Sequence, residues 1–200
     1  MIVRYDLHRR ASILTLGLCA ALVLGGCGGG GGGDDDDSPT CTNLSFDRAM
    51  VTPGVGDIYM DQASSTCSTL DVVVLVSNLS GIFTVGFDLT YPTSALQYQS
   101  YSVGPLMLKG NPAQPPLVLV SPLATGIQIT MTRFGSDPPV SATGSEALIS
   151  LRFVRTGSGV GAFDFNTGAG DLVTETVLDQ NGASRPAVWT PNHGGMVAIP

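Results

Sequence analysis

From Asp71 onward, apolar and polar residues follow one another in short runs with a period of two, the spacing that puts alternate side chains on opposite faces of a β-strand. The stretch Val72-Val73-Val74-Leu75-Val76 is apolar throughout and closes in Ser77-Asn78-Leu79-Ser80-Gly81, so it reads as a buried strand and a turn. After Ile82, the larger apolar residues Phe83, Val85, Phe87, Leu89 and Tyr91 take odd positions. Thr84, Gly86, Asp88 and Thr90 take even ones, which predicts one buried and one wet face, and Pro92 ends the strand. The same alternation returns in Ile127-Gln128-Ile129-Thr130-Met131-Thr132 and in Ile149-Ser150-Leu151-Arg152-Phe153.

Shorter patterns predict further strands near 44–50, 55–60, 96–103, 116–121, 161–165, 171–178 and 195–199. Their spacing, with turns between, is that of an all-β antiparallel sandwich. No amphipathic helix of any length is visible after position 27, and Gly, Pro, Ser, Thr and Val dominate where exposed helices would need Glu, Lys and Arg.

The amino-terminal region is different. Arg4, Arg9 and Arg10 precede an apolar run from Ala11 to Leu24, too short to cross a bilayer comfortably, and the run ends in Leu24-Gly25-Gly26-Cys27. Residues 1–26 therefore read as an export signal. The last four residues resemble the bacterial lipobox, in which an aliphatic and two small residues precede the cysteine that is acylated and becomes the new amino terminus. Cys27 is the expected lipidation site, and the expected location is the cell envelope, on the outer membrane where the cell has one. Residues 27–40 hold six glycines, four aspartates and Ser38-Pro39-Thr40, with nothing apolar to bury, and so predict a disordered tether with a span of about 20 Å. Four consecutive aspartates lack the alternate spacing and glycine turn of a calcium loop, and are read as a solvated charge run.

Charge and cysteines narrow the chemistry. The 200-residue chain carries a formal charge of −7; removing residues 1–26 leaves six cations against fifteen acids. Six scattered cations make no basic face, so neither nucleic acid nor an anionic headgroup is an expected partner. With Cys19 in the removed segment and Cys27 lipidated, Cys41 and Cys67 remain and form the expected disulfide of an exported protein. His193 is the single histidine beyond the signal, too few for zinc, and no Gly-x-Ser-x-Gly elbow exists to build a serine triad around it. Gly157-Ser158-Gly159-Val160-Gly161-Ala162 fits a dinucleotide fingerprint on paper, but Phe163-Asp164-Phe165 reads as strand where a helix is needed, so it predicts a hairpin loop. Asp179-Gln180-Asn181-Gly182 reads as a plain turn. No cofactor and no enzymatic activity are expected.

The ordered set of these pieces resembles the cohesin family and its relatives among bacterial carbohydrate-binding sandwiches. The matching residues are Ser77-Asn78, Gly81-Ile82, the run Phe87-Asp88-Leu89-Thr90-Tyr91-Pro92, then Leu96 and Val103-Gly104. Gly126-Ile127-Gln128-Ile129, Gly144 with the run from Ala147 to Phe153, and Gly194-Gly195-Met196-Val197 complete the set, from about Leu44 to the end. The resemblance implies a nine-stranded jelly roll over 41–200 that binds without catalysis. It further implies a partner gripped by polar residues on one sheet face, as cellulosomal cohesins grip a dockerin. The expected partner face comprises Thr84, Asp88, Thr90, Gln128, Thr130, Thr132 and Arg152, meeting an envelope or extracellular protein of dockerin-like kind. The alternative is a module for polysaccharide, with Tyr98 and Tyr101 as the better-placed rings and Trp189 as the single indole.

Overall fold

The computed structural model describes residues 41–49, 52–111, 113–165, 175–189 and 193–200. The export signal of 1–26, Cys27, the tether of 27–40 and the 171–174 part of an expected strand lie outside the described residues.

Eleven strands are present among the described residues: β1 (Ser45–Arg48), β2 (Ile58–Ser65), β3 (Thr69–Ser77), β4 (Thr84–Thr90), β5 (Leu96–Val103), β6 (Leu117–Pro122), β7 (Gly126–Thr132), β8 (Ser145–Arg155), β9 (Gly159–Phe165), β10 (Thr176–Leu178) and β11 (Gly195–Ile199). They form two antiparallel sheets. One has the order β1-β11-β9-β4-β7-β6, with β10 also paired to β4; the other has the order β2-β3-β8-β5. The count of nine implied by the resemblance is thus exceeded. One reason is that two strands share a single edge of β4: β9 pairs with Leu89 and Thr90, while β10 pairs with Thr84 to Gly86.

Alternation along each strand supplies the core. Leu70, Val72, Val74 and Val76 of β3 are fully buried, while Asp71, Val73 and Leu75 between them are half-buried on the outer face. The continuous apolar run is therefore a strand with one core face. Val85, Phe87 and Leu89 of β4 and Ile127, Ile129 and Met131 of β7 meet it from the opposite sheet. Aromatic rings bridge the sheets, with Phe153 of β8 edge-on to Phe163 of β9 at 5.0 Å and Tyr91 4.9 Å from Phe153. Such edge-on pairs add about 0.5–1.5 kcal/mol each to what their buried area contributes. Trp189 packs at 5.5 Å from Phe87 and 5.1 Å from Phe165, so the indole belongs to the core margin.

Two of the glycines that carry the resemblance have a visible reason. Gly81 has φ of 74°, a left-handed turn residue leading into β4. A Cβ on Gly126 would stand 2.1 Å from the Leu89 carbonyl oxygen, so only glycine lets β7 start this close to β4. Cys41 and Cys67 form a disulfide with a Cα–Cα distance of 5.7 Å, tying the segment before β1 to the β2–β3 hairpin. The Gly157-Ser158 segment links β8 to β9, and the strand expected after it is present, but the two strands belong to different sheets, so the expected hairpin loop is instead a crossover from one sheet to the other.

Candidate binding faces

The outer face of β4, β7 and β6 is built in cross-strand rows. Residues directly opposite on antiparallel strands share a face, so Thr84, Thr132 and Leu117 form one row, and Gly86, Thr130 and Leu119 the next. Asp88, Gln128 and Ser121 form a third. The Thr84 and Thr132 hydroxyls lie 2.8 Å apart, closing the top of this ladder. β6 ends the sheet among the described residues, and none of them pairs with its outer edge. Its inward Val118 and Val120 pack against the core, while outward Leu117 and Leu119 are 44% and 57% exposed. The face therefore combines a polar threonine ladder with two bare leucines beside an open strand edge.

Six of the seven residues expected on the partner face lie on this sheet, and they are not equally available. Thr84, Gln128, Thr130 and Thr132 are partly exposed. Thr90 donates its hydroxyl to the Asp164 carbonyl oxygen at 3.3 Å. Asp88 is only 1% exposed, so the expectation that it lies on the wet side of β4 is corrected: alternation determines which face a residue takes, whereas cover over that face depends on other parts of the chain.

Arg152 is the second correction. It belongs to β8, in the β2-β3-β8-β5 sheet, and faces the opposite side of the molecule. There its Nε and Nη2 donate to the two Asp71 carboxylate oxygens at 2.7 and 2.8 Å, and the Ser64 hydroxyl donates to the same carboxylate at 2.6 Å. The Arg152 fork is the main reason the Asp71 carboxyl is held below its ordinary range, against an opposing push from burial. Beside the pair is a depression of about 240 Å³ lined by Asp71, Ser100, Tyr101, Ser102, Ser150 and Arg152.

Leu117 and Leu119 carry no distinguishing signal in the sequence, because 116–121 is a plain apolar run. A strand of this kind looks identical whether it is central or at an edge, and only the edge position bares its outer leucines.

Two carboxylates carry further electrostatic tension. Burial pushes the Asp164 carboxyl above its ordinary value, with a bond from the Phe165 amide acting the other way, and its Oδ1 has no hydrogen-bond partner among the described residues. Asp179, by contrast, is used up by its own turn. Its Oδ1 accepts from the Asn181 and Ala183 amides and its Oδ2 from Arg185, an arrangement that keeps the carboxyl below its usual range.

His193 is almost completely buried. Its Nδ1 lies 2.9 Å from the Ile58 carbonyl oxygen and 3.1 Å from that of Val188, both acceptors, so Nδ1 carries the proton; Nε2 lies 3.8 Å from Asp57. The ring thereby ties the last strand to the start of β2. Among the described residues, no three His, Cys, Asp or Glu side chains converge as metal ligands.

Solved structures match this arrangement. The sixth cohesin of scaffoldin B from Acetivibrio cellulolyticus superposes with a TM-score of 0.53 and 18% identity, over 68% of this chain and 95% of that one. The module CaCohA2, from Clostridium acetobutylicum, matches with a TM-score of 0.51 and 19% identity, over 80% of this chain and all of that one. A type II cohesin domain from the Acetivibrio cellulolyticus cellulosome gives 0.50 and 11%, over 72% and 93%.

The domain has the cohesin-like fold.

At these identities the likeness is one of backbone architecture, a β-sandwich jelly roll. No protein-family model matches the chain, and neither does any curated protein. Within the cohesin-like frame, the threonine ladder and the bare leucines lie on one sheet and the Asp71–Arg152 pair on the other.

Proposed function

We infer that this protein is a non-catalytic, protein-docking module, anchored at the cell envelope through Cys27 and engaging its partner with the β4-β7-β6 face. The observation that carries this reading is the pair Leu117 and Leu119, bare beside the threonine ladder. Apolar side chains set next to polar ones on one surface are a feature of protein–protein interfaces. Full burial of a leucine contributes about 1.5–3 kcal/mol, and these two, about half covered already, have about half of that still to gain under a partner. In support, the structural neighbours from Acetivibrio cellulolyticus include cohesins in complex with dockerins, so the expected partner is a dockerin-like module presented by an envelope or extracellular protein.

The anchor reading rests on Leu24-Gly25-Gly26-Cys27 and on the adjoining Gly/Asp stretch, which would hold the domain near an outer membrane while leaving it free to turn.

The test is crosslinking on intact cells with the full chain, followed by peptide mapping of the captured partner. The expected result is one protein crosslinked to residues of β4, β6 or β7, with capture lost in Leu119→Asp and in Thr130→Arg. Capture that both variants leave unchanged, or crosslinks confined to other strands, refutes the docking face. Mass spectrometry of the processed amino terminus tests the anchor separately, and the absence of acyl groups on Cys27 refutes it.

A further inference from the structure

Among the described residues the two sheets end in β1 and β6 and in β2 and β5. Three of these edges are guarded against pairing with a further strand. β1 is short and carries Asp47 and Arg48, while β2 and β5 are broken by bulges, between Gln62 and Ser64 and between Tyr98 and Ser100. β6 has neither device. Its register with β7 runs without a shift, and no charged residue occurs anywhere from Gly110 to Thr132.

Which backbone groups β6 turns outward follows from its connection to β7. The Leu123 amide donates to the Gly126 carbonyl oxygen at 2.8 Å, so these two form a hydrogen-bonded pair. Bonded and non-bonded pairs alternate along an antiparallel ladder. Leu117, Leu119 and Ser121 therefore spend their amides and carbonyls on β7, and Val118 and Val120 direct theirs to the open edge. The next outward positions on either side are Pro116 and Pro122, which offer a carbonyl but no N–H. The edge is thus symmetric about Leu119.

We propose that this edge pairs with the same edge of a second copy of the chain, β6 antiparallel to β6 about a two-fold axis at Leu119, so that two sheets join into one.

That register sets Val118 of each copy opposite Val120 of the other, and each such pair exchanges two bonds, so every outward N–H of the strand finds an acceptor. At the ends Pro116 faces Pro122, and no donor is left unmet. A foreign strand without prolines at this spacing would set its own carbonyls against positions that have no N–H to give. Charge favours the second copy as well: each chain carries −7, yet nothing charged lies on this edge to repel its mate. Leu119, more than half exposed in the single chain, meets its symmetry mate in a non-hydrogen-bonded pair, where Cα atoms approach to about 4.5 Å. The axis stands perpendicular to the sheet, so the threonine ladders of both copies stay on one side and the docking face is presented twice. The pairing goes beyond the docking reading and stands without it, because it uses backbone groups of the edge and needs no other protein.

The experiment is oxidation of the purified full chain in mild detergent with copper phenanthroline, read on a non-reducing gel. Leu119→Cys brings two thiols to the axis at a separation that a disulfide spans. It is expected to link into a dimer well beyond the parent, whose own cysteines set the baseline. Leu117→Cys, also outward but about 14 Å from its mate in this register, is expected to stay at that baseline. Leu117→Cys combined with Ser121→Cys, which the register sets opposite each other, is expected to link. Adding Val120→Pro to Leu119→Cys removes an outward N–H and no ladder bond to β7, and is expected to abolish the linkage. The self-pairing is overturned if Leu119→Cys links no more than the parent, as it would with a foreign strand as the natural occupant, or if Leu117→Cys alone links as fully as Leu119→Cys. It is equally overturned if the Val120→Pro variant, shown folded by circular dichroism, links undiminished. Loss of partner capture on cells bears on the docking face alone and leaves these outcomes unchanged.

Discussion

Arg133, the residue after β7, is 4% exposed, an unusual place for a guanidinium. Its Nη1 donates to the Met107 carbonyl oxygen at 2.6 Å, at the end of a short 3₁₀ turn, and its Nη2 stands 3.9 Å from Asp137. Asp137, 8% exposed, takes one further bond, from the Asn111 amide at 3.0 Å. Nε and Nη2 of the arginine have no hydrogen-bond partner among the described residues. Replacing Arg133 by Met keeps the length of the stem, but strands a nearly buried carboxylate and an unmet carbonyl. Breaking a buried pair from one side costs about 3–5 kcal/mol. Removing unsatisfied buried donors returns about 1–3 kcal/mol, so a net loss of about 2 kcal/mol is expected. For a domain of this size that corresponds to a fall of about 4–8 °C in melting temperature. Adding Asp137→Asn removes the stranded charge while keeping an acceptor for Asn111, and is expected to restore most of the loss. Differential scanning calorimetry of the parent, the single variant and the double variant reads this directly. A single variant that melts with the parent, or a double variant no better than the single, refutes the account of Arg133 as the counter-charge that makes Asp137 tolerable.

Three further outcomes rest on named groups. Asp164 has a folded value above its unfolded value of about 3.9, so its contribution to stability is fully present below that pH and is lost as pH rises through the folded value. Asp164→Asn is therefore expected to raise the melting temperature at pH 7 and to do so less at pH 4; an equal gain at both, in thermal melts, refutes the assignment. Asp71 runs the other way: held low chiefly by Arg152, it stabilises above the unfolded carboxylate value, and this is lost as pH falls through the folded one. Arg152→Ala should consequently flatten the acid limb of the stability–pH curve, and an unaltered limb in urea titrations from pH 2 to 6 would contradict the pairing. Reducing the Cys41–Cys67 bridge, which spans 26 positions, is expected to cost about 3 kcal/mol by the chain-entropy argument, measured as a lower urea midpoint.

Much of the architecture is a local property of the chain. The period of two in Val85, Phe87 and Leu89, in Ile127, Ile129 and Met131, and in Leu151 and Phe153 identifies both the strands and the faces they bury, because successive side chains of an extended backbone must point opposite ways. The pairing of Cys41 with Cys67 is legible from the cysteines available. That a strand and not a helix follows Gly157-Ser158 is readable from the alternation of Phe163-Asp164-Phe165, whereas the crossing of this turn from one sheet to the other, in place of the expected hairpin, is not. Membership of a sheet is a different matter. Arg152 and Thr130 carry equivalent outward positions in equivalent patterns, yet β7 and β8 join opposite sheets, so the two residues face opposite sides of the molecule. Asp88 and Thr84 alternate alike along one strand, but one is sealed and the other partly open. Leu119 is bare because it points outward on the last described strand of the sheet, with no described segment covering that face, and His193 is sealed because β2 and Val188 meet around it. Alternation is thus decided by covalent geometry within a few residues. Which strand lies beside which, and what covers a face, are decided by contacts between segments far apart in the chain, and on those contacts the docking face and the open edge both depend.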